Sequence, residues 1–315
     1  MTEFHHVSIL AQACTDWLIQ DTNGVYVDGT VGGAGHAGKL AERLQPGGTL
    51  VAIDRDPDAL AVAKERLQGF ACNVKVVQGN HQEMDVLLDQ LGIEAVDGVL
   101  LDLGVSSFQL DTAERGFSYM QDGPLDMRMN PEDDLDAGKI VNEYGEKELA
   151  DIIFHYGEER WAKRIAQFIV QARTAKPITT TGELVEIIKH AIPAAARREG
   201  PHPAKRTFQA LRIAVNGELD GLEQGLLKAV ERLKPGGRIA VITFHSLEDR
   251  IVKKTFQMLA KKCICPPNLP ICTCHHIQTL GKLAWQAPSE AEIEANPRAR
   301  SAKLRMAEKK DGMPQ

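Results

Sequence analysis

The chain has 315 residues, 43% of them hydrophobic, and a formal net charge of −6, enough length and apolar content for one large domain or two ordinary ones with a real core. Met1-Thr2-Glu3-Phe4-His5-His6 lacks the basic start and apolar run of a secretion signal, and no segment approaches the roughly 18 apolar residues of a membrane span, so a cytoplasmic protein with no membrane association is expected. The negative total argues against binding nucleic acid by bulk charge, although basic residues gather at Arg197 to Arg212, at Arg250 to Lys262 and at Arg298 to Lys310.

In chain order, Val25-Tyr26-Val27 reads as a first strand and Leu50-Val51-Ala52-Ile53 as a second. Between them Ala37, Leu40, Ala41 and Leu44 fall at helical spacing, and Pro46-Gly47-Gly48 marks the stop. Asp56-Pro57 opens a helix with Leu60, Ala61, Ala63 and Leu67 on its apolar face, proline being suited to the first turn. Residues 74–77 are predicted as a third strand, 84–91 as a helix and 96–103 as a fourth strand. Val99-Leu100-Leu101 is apolar without alternation, as a sheet covered on both faces requires. The rhythm breaks from 106 to about 131. From 136 to about 192, residues such as Ile152, Ile153, Ile165, Phe168 and Ile169 recur at helical spacing with no strand among them. Residues 207–233 then read as one long helical stretch, Pro235-Gly236-Gly237 as a turn, 238–244 as a fifth strand, 248–262 as a helix and 303–307 as a last strand.

The first strand and first helix are joined by Asp28-Gly29-Thr30-Val31-Gly32-Gly33-Ala34-Gly35-His36. Glycines at such a junction let backbone approach a ligand closely. Gly33-x-Gly35-x-x-Gly38, followed about 20 residues on by Asp54, also matches the dinucleotide fingerprint, so a nicotinamide-dependent oxidoreductase is a competing reading. Position separates the two. The fingerprint should begin where the strand ends, yet here the strand closes on Asp28 and the match starts five residues later. A carboxylate at the strand end repels a pyrophosphate and suits the ammonium and sulfonium of S-adenosylmethionine. The expected fold is therefore α/β, a Rossmann-like class I methyltransferase sheet formed by 1–109 and 206–315, with an all-helical domain, 110–205, inserted.

Asp54 ends the second strand, where a carboxylate can accept both ribose hydroxyls, while Asp56 is the better cap for the helix that follows. His81 follows the third strand, near where an adenine would lie. Asp102 ends the fourth, and ligands of such sheets lie beyond the carboxyl ends of the strands, so the methyl acceptor belongs there. An exocyclic amine has its lone pair delocalised into the ring, and a carboxylate can help rehybridise it and take its proton. After the fifth strand, Phe244 is placed to stack on a base, His245 to orient it and Arg250 to contact phosphate.

These residues resemble the RsmH (MraW) family of 16S ribosomal RNA cytosine-N4 methyltransferases. The resemblance spans nearly the whole chain. It rests on Asp28 to His36, Ala52 to Pro57, Leu101-Asp102-Leu103-Gly104-Val105-Ser106-Ser107, Glu114 to Ser118, Gly123 to Met129, Tyr156 to Arg160, Arg206 to Ala210, Phe244 to Arg250 and Asn296 to Ser301. It implies N4 methylation of a cytidine in the decoding centre (P site) of 16S ribosomal RNA, within the small ribosomal subunit. It implies cofactor contacts at Ala34, Gly35, His36, Asp54, His81, Asp102 and Gln109, beside Asp28 and Gly33 expected from the loop itself, and it implies that the inserted helical domain, 110–205, is the RNA-recognition part; RNA contacts are expected at Arg115, Arg206, Arg250, Arg298 and Arg300. His81 stands where some relatives carry an aromatic, and Phe108 where a proline is common. The usual amino-methyltransferase signature has two prolines and an aromatic after the strand-four carboxylate, whereas this chain has Leu103-Gly104-Val105, leaving Phe108, Phe117 and Phe244 as stacking candidates. A non-catalytic S-adenosylmethionine-binding factor in ribosome assembly is the remaining alternative, and a homodimer is admitted but not required.

Cys263-Ile264-Cys265 and Cys272-Thr273-Cys274 flank a proline-rich loop. Their one-residue spacing departs from the two to four residues usual between zinc ligands, so reduced thiols and no metal are expected, with a tetrahedral zinc as the alternative.

Overall fold

Aliphatic runs flanked by glycine and proline turns produce the strands β1 (Val25–Asp28), β2 (Thr49–Asp54), β3 (Asn73–Gln78), β4 (Val96–Asp102), β5 (Leu233–Thr243), β6 (Leu280–Gln286) and β7 (Lys303–Lys309). The structure, a computed structural model, describes residues 8–311 except 199, 267, 268 and 270. The strands form a single sheet in the order β3-β2-β1-β4-β5-β7-β6, parallel from β3 to β5, with β7 antiparallel to both β5 and β6. From β1 the chain moves outward to β2 and β3, then returns across β1 to β4. That reversal makes the β1/β4 boundary the topological switch point, where ligands of open α/β sheets bind.

Alternate residues of the central strands feed two separate cores. Tyr26, Leu100, Ala240 and Ile242 pack with the helices Ala11–Leu18, Gly35–Arg43 and Pro57–Arg66. Val27, Val99, Leu101, Ile239 and Val241 pack with Met84–Gln90, Leu222–Arg232 and Ser246–Leu259. Burial on both faces explains why β4 reads as an unbroken apolar run.

The chain divides into two compact units, one ending at Gly104 and resuming at Leu219, the other Val105–Glu218. The divisions fall at 104/105 and 218/219, not at the expected 109/110 and 205/206. The helix Lys205–Asn216 goes with the helical unit because Phe208, Leu211 and Val215 sit in its core, beside Ile140, Ile153, Ile165 and Ile188. In that unit Asn216 is buried; its Nδ2 donates to the Met127 carbonyl (2.8 Å) and its Oδ1 accepts from the Met129 N–H (2.8 Å), which fixes the 127–129 loop.

Four details differ from the sequence reading. The stretch 207–233 is two helices, broken where Gly217 (φ 56°) and Gly221 (φ 79°) take left-handed backbone that ends one and begins the next. Strand β5 begins at Leu233, and the expected turn at 235–237 is a bulge between the Val96↔Leu233 and Gly98↔Arg238 pairs. The helix Ala11–Leu18 carries no side-chain cap to announce it. Strand β6 is an edge strand exposed over most of its length, so no hydrophobic alternation marks it.

Candidate active site

Parallel pairing brings Asp28, Asp54 and Asp102, the last residues of β1, β2 and β4, to the same edge of the sheet. Asp28 is 1% exposed; its Oδ1 accepts from the Thr30 N–H (3.1 Å), and its Oδ2 has no partner among the described residues. Burial pushes this carboxyl up to about 7, with the neighbouring Asp102 and Asp54 adding to the rise and His36 and the Thr30 amide opposing it. Burial pushes Asp102 up to about 7 as well, and the charge of Glu248 adds to it. Its backbone N–H donates to Thr30 Oγ1 (2.6 Å), while its Oδ1 is unpartnered among the described residues. Asp54 is also raised by burial, opposed by the amides of Asp56 (3.0 Å) and Gly32 (2.8 Å) that it accepts, one at each oxygen. It therefore holds the glycine loop in place from the end of β2. Asp56 fills the cap role, accepting from the Asp58 N–H at 3.0 Å.

The loop after Asp28 has no room for side chains at its two critical glycines. A Cβ on Gly29 would lie 2.5 Å from Leu101 Cδ2, and one on Gly35 would lie 1.9 Å from Ser8 Oγ. Ala34 adopts left-handed backbone (φ 61°) just before the helix Gly35–Arg43, a conformation costly for a residue with a Cβ and found mainly where function holds it. Gly33 is exposed, its carbonyl accepting from Arg66 Nη1 at 2.8 Å. Gly38 lies inside that helix with nothing within 4 Å of where a Cβ would stand, so it does not serve the close helix–strand packing that requires the third glycine of a dinucleotide fingerprint.

His36 is buried with Nε2 2.9 Å from the Ile9 carbonyl oxygen and Nδ1 3.6 Å from Asp102 Oδ2. A carbonyl accepts only, so Nε2 carries the proton and Nδ1 of the neutral ring is bare toward Asp102. Burial lowers the His36 value against the pull of Asp28. His81 begins a short turn after β3; burial and the nearby Arg55 push it down to about 4, and its Nε2 is without a partner among the described residues. Asp28 Oδ2, His81 Nε2 and Asp102 Oδ1 are thus buried polar atoms on the carboxyl-end side of β1, β3 and β4, an arrangement that costs stability unless a ligand supplies their hydrogen bonds.

Other expected residues fall differently. Phe244 follows β5, half-buried, with its Cδ2 3.5 Å from where a Gly104 Cβ would stand. His245 was expected to orient a base, but it caps the helix Ser246–Leu259: its Nδ1 faces the Glu248 N–H (3.5 Å) and its Nε2 is 3.0 Å from Glu248 Oε1. Glu248, which sequence reasoning passed over, is 1% exposed and accepts from the Phe244 N–H (2.9 Å). Its signal was the three-residue spacing of a capping box. Gln109 is buried in the helical unit in a capping box with Ser106, accepting from the Ser106 N–H at 3.0 Å. Arg115, expected to contact RNA, is half-buried, and its Nη2 donates to the carbonyls of Arg128 (3.0 Å) and Met129 (2.9 Å), which ties it to its own loop. Arg206 is exposed and donates to the Glu158 carbonyl (3.0 Å), while Arg250, Arg298 and Arg300 are exposed on the sheet unit. The four loop cysteines, for which spacing suggested no metal, have their Sγ atoms within 4.8 Å of one another.

A groove of about 420 Å³ on the sheet unit lies elsewhere, between the helix Ser246–Leu259 and β6 and β7, lined by Lys253, Phe256, Trp285, Lys303 and Arg305. None of those residues carries an orphaned buried polar atom, so the strand-end cluster is the better ligand site.

A mostly parallel α/β sheet with unsatisfied carboxylates crowding its switch point defines a Rossmann-like ligand-binding enzyme. The chain belongs to the MraW methylase family, whose profile matches residues 3–310. Among its relatives is the ribosomal RNA small subunit methyltransferase H of Heliobacterium modesticaldum, 54% identical over 97% of this chain and 99% of the relative. The protein of that name from Symbiobacterium thermophilum is 55% identical over 96% of each chain, and that from Clostridioides difficile is 54% identical over 98% of this chain and 99% of the relative.

Proposed function

We propose that the chain transfers a methyl group from S-adenosylmethionine to the N4 amine of a cytidine in the decoding centre of 16S ribosomal RNA, acting in the cytoplasm on RNA within the small ribosomal subunit. The observation that carries this reading is the set of buried polar atoms at the sheet edge without partners among the described residues, Asp28 Oδ2, His81 Nε2 and Asp102 Oδ1. It is joined by membership of a methylase family and by relatives named for small-subunit ribosomal RNA. S-adenosylmethionine supplies an electrophilic methyl group on a sulfonium.

The residues present fit that cofactor. Asp28 offers a carboxylate to its cationic amino acid portion, the Gly29 to Gly35 loop lets backbone come close, Asp54 has lone pairs left for ribose hydroxyls, and neutral His81 has a ring nitrogen for the adenine. Asp102 is the base. When the N4 nitrogen takes the methyl carbon, the carbon–sulfur bond would break and leave a neutral thioether, and Asp102 would accept the proton that the nitrogen loses; a pKa near 7 suits a group that must take a proton at neutral pH. Phe244, two residues beyond Ile242, the register partner of Asp102, supplies a ring face for the base. Arg206, Arg250, Arg298 and Arg300 are the phosphate contacts.

Labelled methyl transfer to small-subunit particles tests this reading. Incorporation should require S-adenosylmethionine and fall by about 10²–10⁴-fold in Asp102→Ala while cofactor binding persists. Unchanged transfer in that variant would remove Asp102 from the chemistry. Stabilisation by NADH and not by S-adenosylmethionine would favour the oxidoreductase reading.

A further inference from the structure

Residues 263–276 connect the helix Ser246–Leu259 to β6, and their described part contains neither helix nor strand. The apolar side chains of this connection face outward: Ile264 is 48% exposed, Ile271 74% and Ile277 53%. A segment with no core of its own needs another device to hold one conformation.

The four cysteines provide it. Sγ to Sγ distances are 3.4 Å for Cys263 and Cys272, 3.8 Å for Cys263 and Cys274, 3.5 Å for Cys272 and Cys274, and 3.9 Å for Cys265 and Cys272. A disulfide would require about 2.05 Å, and all four thiols are free. Zinc–sulfur bonds of about 2.3 Å in a tetrahedron put neighbouring sulfurs about 3.8 Å apart. Four of the six separations, 3.4 to 3.9 Å, lie near that edge length, and the other two are within 4.8 Å. An iron–sulfur cluster would spread its four thiolates over several metal atoms and therefore wider apart.

We propose that Cys263, Cys265, Cys272 and Cys274 form a mononuclear tetrathiolate zinc site. The one-residue spacing that argued against zinc in the sequence limits the bite of each pair, but the two pairs stand face to face, so two short bites complete one tetrahedron. Backbone amides support the sulfurs: the Cys265 N–H donates to Cys263 Sγ (3.4 Å) and the Thr273 N–H to Cys265 Sγ (3.3 Å). Outer donors of this kind orient metal ligands. With four thiolates the coordination shell is closed, leaving no position for water or substrate, so the zinc is structural. It staples the connection between the helix capped by His245 and the edge strand β6. His276 adds a second tie from its Nε2 to the Met258 carbonyl (3.1 Å).

The full chain, purified untagged under anaerobic reducing conditions, should contain one zinc per molecule. Exchange with Co²⁺ should give intense thiolate-to-cobalt charge-transfer absorption. The four loop thiols should resist a thiol reagent until a chelator is added, with Cys14 and Cys72 remaining protected by burial. The double variant Cys263→Ser/Cys272→Ser should lose the metal and become sensitive to protease in the loop, and circular dichroism reports whether the sheet unit stays folded. Metal-free protein with four freely reactive thiols after dialysis against zinc would overturn the proposal. Disulfides in the anaerobic protein, or one iron per chain in place of zinc, would overturn it equally.

Discussion

A carboxyl buried as completely as that of Asp28 is held protonated until about pH 7, whereas in an unfolded chain it would ionise near 3.8. The folded-state value is raised, so the stability tied to its neutral form is fully present below about pH 4 and is lost as pH rises through 7. A cationic ligand reverses that preference, because pairing with it favours the ionised form. Cofactor affinity should therefore strengthen between pH 6 and pH 8, approaching tenfold per unit on the acid side of 7. Titration calorimetry checks this. Asp28→Asn should bind the cofactor more weakly at every pH, with the dependence flattened, and should not share the wild-type loss of stability between pH 4 and 7. A second test concerns Asp102, whose value is raised first by burial and then by the charge of Glu248. Asp102 must be ionised to accept a proton, so methyl transfer should climb through about pH 7. Glu248→Gln keeps an oxygen to accept the Phe244 N–H and removes the charge, so the acid limb of the kcat profile should move to lower pH. An unmoved limb would detach Glu248 from the titration of Asp102.

At the scale of elements, the β1 loop is defined by close approach. Gly29→Ala would drive a methyl group into Leu101 Cδ2 and His81 Cβ, at 2.5 and 3.1 Å, and should destabilise the protein by about 1–3 kcal/mol while weakening cofactor binding. Denaturant unfolding combined with cofactor titration would show both effects; an Ala variant binding normally would mean that the loop's tightness serves the fold alone. The sequence announced this loop because its glycines, its terminal Asp28 and its place between strand and helix are all local signals. It did not announce the cap made by His245 and Glu248, because the same residues read equally well as chemistry at a strand end. The break at Gly217 and Gly221 was hidden inside a continuous helical period, since glycines in a helical pattern mark a left-handed stop only when the backbone is seen. Edge strand β6 offered no alternation because almost nothing on it is buried.

For the whole molecule, the two-unit organisation was legible because strand and helix periods differ, and one gives way to the other after β4. The boundary residues were not, because assigning Lys205–Asn216 depends on which core takes Phe208 and Leu211, a long-range property. The strand-end carboxylates could be named from sequence, but the orphaned oxygens of Asp28 and Asp102 among the described residues and their raised values arise from burial and, at Asp102, from the charge of Glu248, distant in the chain. A net charge of −6 is reconciled with an RNA substrate by local display, with Arg250, Arg298 and Arg300 exposed on the sheet unit. Identification of the product is the most direct test of the central claim. Small-subunit particles lacking the modification would be incubated with the protein and S-adenosylmethionine, the 16S ribosomal RNA digested, and the nucleosides and fragments resolved by mass spectrometry. The account predicts one new N4-methylcytidine, located in a decoding-centre fragment and absent with Asp102→Ala; methylation on carbon 5, on another base or on no base at all would contradict it.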